Sequence, residues 1–105
     1  MSSLRRYEVL VPLVFNDGKP VPESLLAETF EELRERFGAA SWETQTLRGV
    51  WEQEGITYQD NLTRFFVDVA DLPEHRQFFK DFKERLKGRF HQLDVWITSH
   101  PIDLI

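Results

Sequence analysis

Two stretches of this chain repeat one arrangement, a strand-like apolar run followed by an amphipathic helix, and that repetition limits the folds open to it. In the first, Tyr7, Val9, Val11, Leu13 and Phe15 fall on one face at period two. Asn16-Asp17-Gly18 then turns the chain, and Pro20-Val21-Pro22-Glu23 opens a helix. Leu26, Phe30, Leu33 and Phe37 form its apolar stripe and Gly38 closes it, with Arg34 and Arg36 toward the end, where the helix dipole favours cations. In the second, Phe65, Val67 and Val69 alternate with Arg64, Phe66 and Asp68. Asp71-Leu72-Pro73-Glu74 has the capping-box pattern. Phe79, Phe82, Leu86 and Phe90 then mark a second helix running to about Gly88.

Each helix is joined to a more polar strand. Ala40 to Glu52 is rich in Thr, Trp and Val but polar overall, as an edge strand is, and Gly49 suggests a bulge in it. Gln53-Glu54-Gly55 predicts a hairpin turn into Ile56-Thr57-Tyr58, a first segment ended at Asp60 by a bulge, before the strand from Asn61 to Ala70. Leu93, Val95 and Ile97 predict a last strand stopped by Pro101. The order βαββαβ gives an α+β, ferredoxin-like sandwich over residues 1–105: a mostly antiparallel sheet of order 4-1-3-2 with both helices on one face. The apolar first and third strands are then central and the polar second and fourth are edges. Pro12 is the one residue that resists this, because it lacks a ladder donor in a strand expected to be central.

Charge and composition exclude several partners. A net charge of −5 disfavours nucleic acid and anionic membranes, and Thr63 to Val69 lacks the glycine–aromatic pattern of an RNA-binding sheet. The absence of cysteine rules out disulfides and thiolate metal sites and fits a cytoplasmic protein. No run approaches the ~18 apolar residues of a membrane helix, and the segment after Met1 carries Glu8 and Pro12, unlike a signal peptide. His75, His91 and His100 have no metal-ligand spacing, so neither a metal nor a cofactor is expected, and no catalytic residue stands out.

Two helices leave one sheet face bare. Leu10, Val14, Phe66 and Trp96, joined by Trp51 or Trp42, would lie there among Glu8, Arg64, Asp68 and Asp94. Such an apolar cluster marks an interaction surface, and a homodimer or a protein partner is the expected occupant. Trp51, Tyr58 and Asp60 form a second candidate, a Tyr/Asp pair beside an aromatic wall able to bind a polar ligand or do acid–base work. Without a ligand they read as a hairpin held by cross-strand aromatic pairing.

Asp17-Gly18, Arg36-Phe37-Gly38, Gly49-Val50-Trp51, Gly55 and the Val67/Val69 strand make the first two-thirds of the chain resemble a group of short bacterial proteins known as domains of unknown function. The resemblance implies a ferredoxin-like fold and brings no activity. The same strand order is shared by the dimeric α/β-barrel superfamily, which includes small monooxygenases. The expected function is therefore non-enzymatic self-association or partner binding through the sheet. The alternative is a small enzyme or ligand-binding protein with a pocket between sheet and helices, lined by Trp51, Tyr58, Asp60 and a histidine.

Overall fold

The computed structural model describes residues 3–105 and sets out β1 (Leu4–Pro12), α1 (Glu23–Phe37), β2 (Ser41–Gln53), β3 (Ile56–Ala70), α2 (Pro73–Arg89) and β4 (Trp96–Ile102). The strands form one antiparallel sheet in the order β2-β3-β1-β4, which is 4-1-3-2 read from the other edge. The apolar strands are central and the polar ones are edges, as the pattern predicts.

Period two puts Tyr7, Val9 and Val11 of β1 and Phe65, Val67 and Val69 of β3 on the face that meets the helices. Leu26 and Leu33 of α1 and Phe79, Phe82 and Leu86 of α2 close over them. Burying these side chains is the main driving force for folding, at roughly 1.5–3 kcal/mol each. Gly38 ends α1 in the left-handed conformation, its N–H bonding to the Arg34 carbonyl. Thr29, a polar residue inside the apolar stripe of α1, is fully buried; its hydroxyl donates to the Leu25 carbonyl and accepts from Arg89 of α2.

Pro12 sits where its position makes sense. β4 last pairs with β1 at Leu10, so at Pro12 only β3 flanks the strand, which is an edge there and tolerates proline. β1 ends at Pro12 rather than Phe15, and Leu13 and Phe15 pack against the core from the turn.

Four sequence expectations are corrected. The irregularity in the hairpin lies in β2 between Glu43 and Leu47, not at Gly49 or Asp60, and β3 runs unbroken from Ile56 to Ala70. Buried Thr63 explains why the bulge is stable: its hydroxyl accepts from the Trp42 indole at 2.9 Å and donates to the Glu43 carbonyl at 2.7 Å. Asp71 does not cap α2. Leu72 occupies the N-cap, Pro73 starts the helix, and the Asp71 carboxylate pairs with Arg5 at 3.1 Å. Leu93 is 86% exposed ahead of β4, leaving Val95 and Ile97 to pack inward. Pro101 does not stop β4 but pairs opposite Arg5 within it, on the outer edge of the sheet.

Candidate functional site

The hairpin β2–β3 outruns the rest of the sheet. β1 accompanies β3 only as far as Leu62, so the six cross-strand pairs from Arg48–Asn61 to Gln53–Ile56 form a two-stranded arm. At ~3.4 Å per residue it projects about 20 Å. The radius of gyration is 14.5 Å, with extents of 47 × 30 × 25 Å, against about 13 Å for a compact domain of this size. Glu54 and Gly55 form its turn, both with positive φ, as a two-residue type I′ hairpin requires.

The register makes the arm amphipathic. Leu47, Trp51, Ile56, Tyr58 and Leu62 share one side with Gly49 and Asp60; Arg48, Glu52, Thr57, Gln59 and Asn61 share the other with Val50. The apolar side continues into the helix-free sheet face, where the same alternation places Leu10 and Pro12 of β1, Phe66 of β3 and Trp96 of β4. One apolar stripe thus runs from Trp96, 64% exposed, to Ile56 at the arm tip, 54% exposed. Leu47 and Leu62 join the stripe only through the register; their signal in the sequence is the even-residue parity of an unbroken β3 and the odd-residue parity of β2 opposite it.

Several polar groups on this face are tied to one another, whereas Glu8, opposite Phe66, has no side-chain partner among the described residues. Asp68 takes two hydrogen bonds from the Arg6 guanidinium, at 2.7 and 2.9 Å, and this pairing raises the pKa of Arg6. The same guanidinium lies 4.4 Å over the Phe66 ring. Arg64 pairs with Glu43 across the strands. On the arm, the Trp51 and Tyr58 rings stack at 4.3 Å and 15°, and the Trp51 indole donates to Asp60 at 2.8 Å.

The sequence candidates therefore separate. Leu10, Phe66 and Trp96 lie together on the sheet face, while Trp51, Tyr58 and Asp60 lie together on the arm. Val14 falls outside the sheet strands, in an isolated bridge to Pro20. Trp42 belongs to the core side, packed on Phe30 and Phe65, and Asp94 leaves the face to pair with Lys83 of α2. The histidines are dispersed: His75 bonds the Ala70 carbonyl, His91 packs on Phe15, and His100 lies opposite Arg6. No group of three potential metal ligands occurs among the described residues.

Concavities lie elsewhere. A groove of about 220 Å³ between α2 and β4 is lined by Tyr7, Arg76, Phe79, Lys80, Lys83, Ile97, Thr98 and Ser99. A second, of about 450 Å³, lies beside the Asn16-Asp17 turn and is bounded by Phe15, Lys19 and His91. Neither contains Trp51, Tyr58 or Asp60. No helix is long and apolar enough to cross a membrane among the described residues.

No family model matches the chain, and no curated protein is significantly similar to it. Solved structures do share its fold. A phage SAM lyase in complex with S-methyl-5′-thioadenosine superposes with a TM-score of 0.71 at 15% identity, covering 99% of this chain and 92% of that one. The divalent cation tolerance protein CutA1 from Thermus thermophilus gives 0.64 at 16% identity, covering 96% and 85%. The B. subtilis GlnK–ATP complex gives 0.58 at 12% identity, covering 97% and 84%. These likenesses establish the architecture, a small ferredoxin-like α+β fold.

Proposed function

We propose that this is a cytoplasmic, self-associating domain whose helix-free sheet face and hairpin arm are buried against a second copy. The carrying observation is the amphipathic arm. A two-stranded hairpin without a third strand or a helix is at best marginally stable in water, and this one exposes Ile56, Trp51 and Tyr58 on a single side. Continuity of that side with Leu10, Phe66 and Trp96 gives a stripe long enough for an interface. Self-pairing also requires a face that does not repel its own copy. The Arg6–Asp68 and Arg64–Glu43 pairs meet that need in part, because they neutralise charge within each protomer and leave only the Glu8 and Asp60 carboxylates outside an ion pair on this side. A twofold dimer is the simplest closed assembly. Replacing Trp96 by Glu places an unpaired charge in the stripe. The expected result by light scattering is a shift of the mass toward the monomer, with circular dichroism unchanged. An unaltered oligomer mass in Trp96→Glu would remove the sheet face from the interface.

A second reading follows from the arm itself. The Trp51–Tyr58 stack offers an outer aromatic face beside a carboxylate held in place by the indole. A planar heterocycle with an N–H donor fits that combination. Two proteins of similar fold hold ligands containing adenosine, S-methyl-5′-thioadenosine and ATP. A purine nucleoside bound at the arm, between copies, is the ligand class this reading favours. Titration with S-methyl-5′-thioadenosine is expected to quench tryptophan fluorescence saturably, and Trp51→Ala to abolish the binding. Equal binding by Trp51→Ala would place the nucleoside elsewhere.

A further inference from the structure

We propose that the groove between α2 and β4 is a binding site for a small phosphorylated ligand carrying an apolar body, separate from the sheet face and the arm. Among the eight residues lining it are three cations, Arg76, Lys80 and Lys83, and no carboxylate, in a chain whose net charge is −5. Spacings of four and three residues place these cations along one side of α2. The helix pairs its other cations: Arg85 and Arg89 with Glu32, and Lys87 with Glu84. Lys83 is tied to Asp94 at 2.9 Å. Arg76 and Lys80 have no ion-pair partner among the described residues, so the groove keeps two uncompensated cations where the rest of the helix is neutralised.

A second, independent feature marks the same place. Tyr7 lines the groove and is 3% exposed, and its hydroxyl is buried without a hydrogen-bond partner among the described residues. Buried hydroxyls are nearly always bonded, because an unsatisfied one forfeits its hydration. An acceptor-rich ligand lodged beside Tyr7 satisfies it by displacing the atoms that now cover the hydroxyl. Ser99 adds a further donor: its oxygen already accepts from Arg5 at 3.1 Å, which leaves its O–H free. Two free cations with two hydroxyls, those of Tyr7 and Ser99, match a phosphoryl group, which presents several strong acceptor oxygens. The Tyr7 ring stacked on Phe79 at 4.2 Å, together with Ile97, forms the apolar wall against which the body of the ligand rests.

Phenyl phosphate joins the two halves of this chemistry and is the probe, with inorganic phosphate and phenol as its separate parts. Calorimetry on the full chain is expected to show saturable binding of phenyl phosphate, stronger than that of either part. The double variant Arg76→Ala/Lys80→Ala, which changes only exposed residues, is expected to weaken it at least about tenfold, as loss of charge-assisted hydrogen bonds does. Tyr7→Phe is expected to weaken it several-fold while leaving the unliganded melting temperature equal or higher, since it removes an unsatisfied group. Amide shifts on binding are expected at Lys80, Thr98 and Ser99. Failure of phenyl phosphate to bind saturably overturns the proposal. So does undiminished binding by the double variant, or shifts confined to Trp51 and Tyr58. None of these outcomes bears on self-association, which is read from mass alone.

Discussion

Phe82→Ala is expected to unfold most of this protein's margin of stability, while Leu93→Ala is expected to change almost nothing. Both residues belong to apolar periodicities in the sequence, and on pattern alone both face the core. Phe82 is completely buried between α2 and the sheet, with Phe78 and Phe79 rings 5.3 and 6.1 Å away. Removing a buried phenyl ring costs its transfer free energy plus the cavity left behind, together ~3–5 kcal/mol. A domain of this length has only ~5–15 kcal/mol in hand, and each kcal/mol lowers the melting temperature by ~4–8 °C. Thermal unfolding of Phe82→Ala is therefore expected to fall by more than about 12 °C at equal protein concentration. Leu93 stands 86% exposed before β4, so its truncation removes no buried area, and a shift within about 0.5 kcal/mol is expected. Comparable losses in the two variants would mean that the α2–β4 connection packs inward.

The second large effect concerns the arm. Excising residues 48–61 and joining Leu47 to Leu62 through an Asn-Gly turn keeps the body of the sheet, because β1 pairs with β3 only from Leu62 onward. The core residues all lie outside the excised segment. Cooperative unfolding and the helical signal of α1 and α2 are therefore expected to survive. The oligomer is not. The excision removes Trp51, Ile56 and Tyr58 from the apolar stripe, and mass measurement is expected to report a monomer. A shortened chain that stays fully associated would show that the arm contributes nothing to the interface. A chain that fails to fold would show that the arm supports the body, contrary to the register.

Much of this architecture is legible in the sequence, and its limits have physical causes. Alternation in β1 and β3 and the stripes of both helices name the core, because burial on one face leaves a periodic record. The polarity of β2 and β4 names the edges for the same reason. Position along the ladder leaves no such record. Pro12 looked misplaced because composition does not reveal that β4 stops at Leu10. Glycine is the usual marker of a bulge and points to Gly49, whereas the bulge lies at Glu43–Leu47, where Thr63 stabilises it from the neighbouring strand. Leu93 imitated a strand residue because Val95 and Ile97 follow it at period two. The candidate site was half visible. Leu10, Phe66 and Trp96 follow from parity, and Trp51, Tyr58 and Asp60 from their proximity across a turn. That these two groups lie on one continuous side depends on β3 being unbroken, which the polar run through Asp60 concealed. The groove at Tyr7 left no trace in sequence, since its cations resemble any solvated helix face.

Burial of the sheet face and arm between copies is tested most directly by the molar mass of the unmodified chain, followed by light scattering from sub-micromolar to near-millimolar concentration. A whole multiple of 12.5 kDa, falling toward 12.5 kDa only on dilution, is the expected result. A mass of 12.5 kDa at every concentration would contradict it and leave the apolar stripe without its second copy.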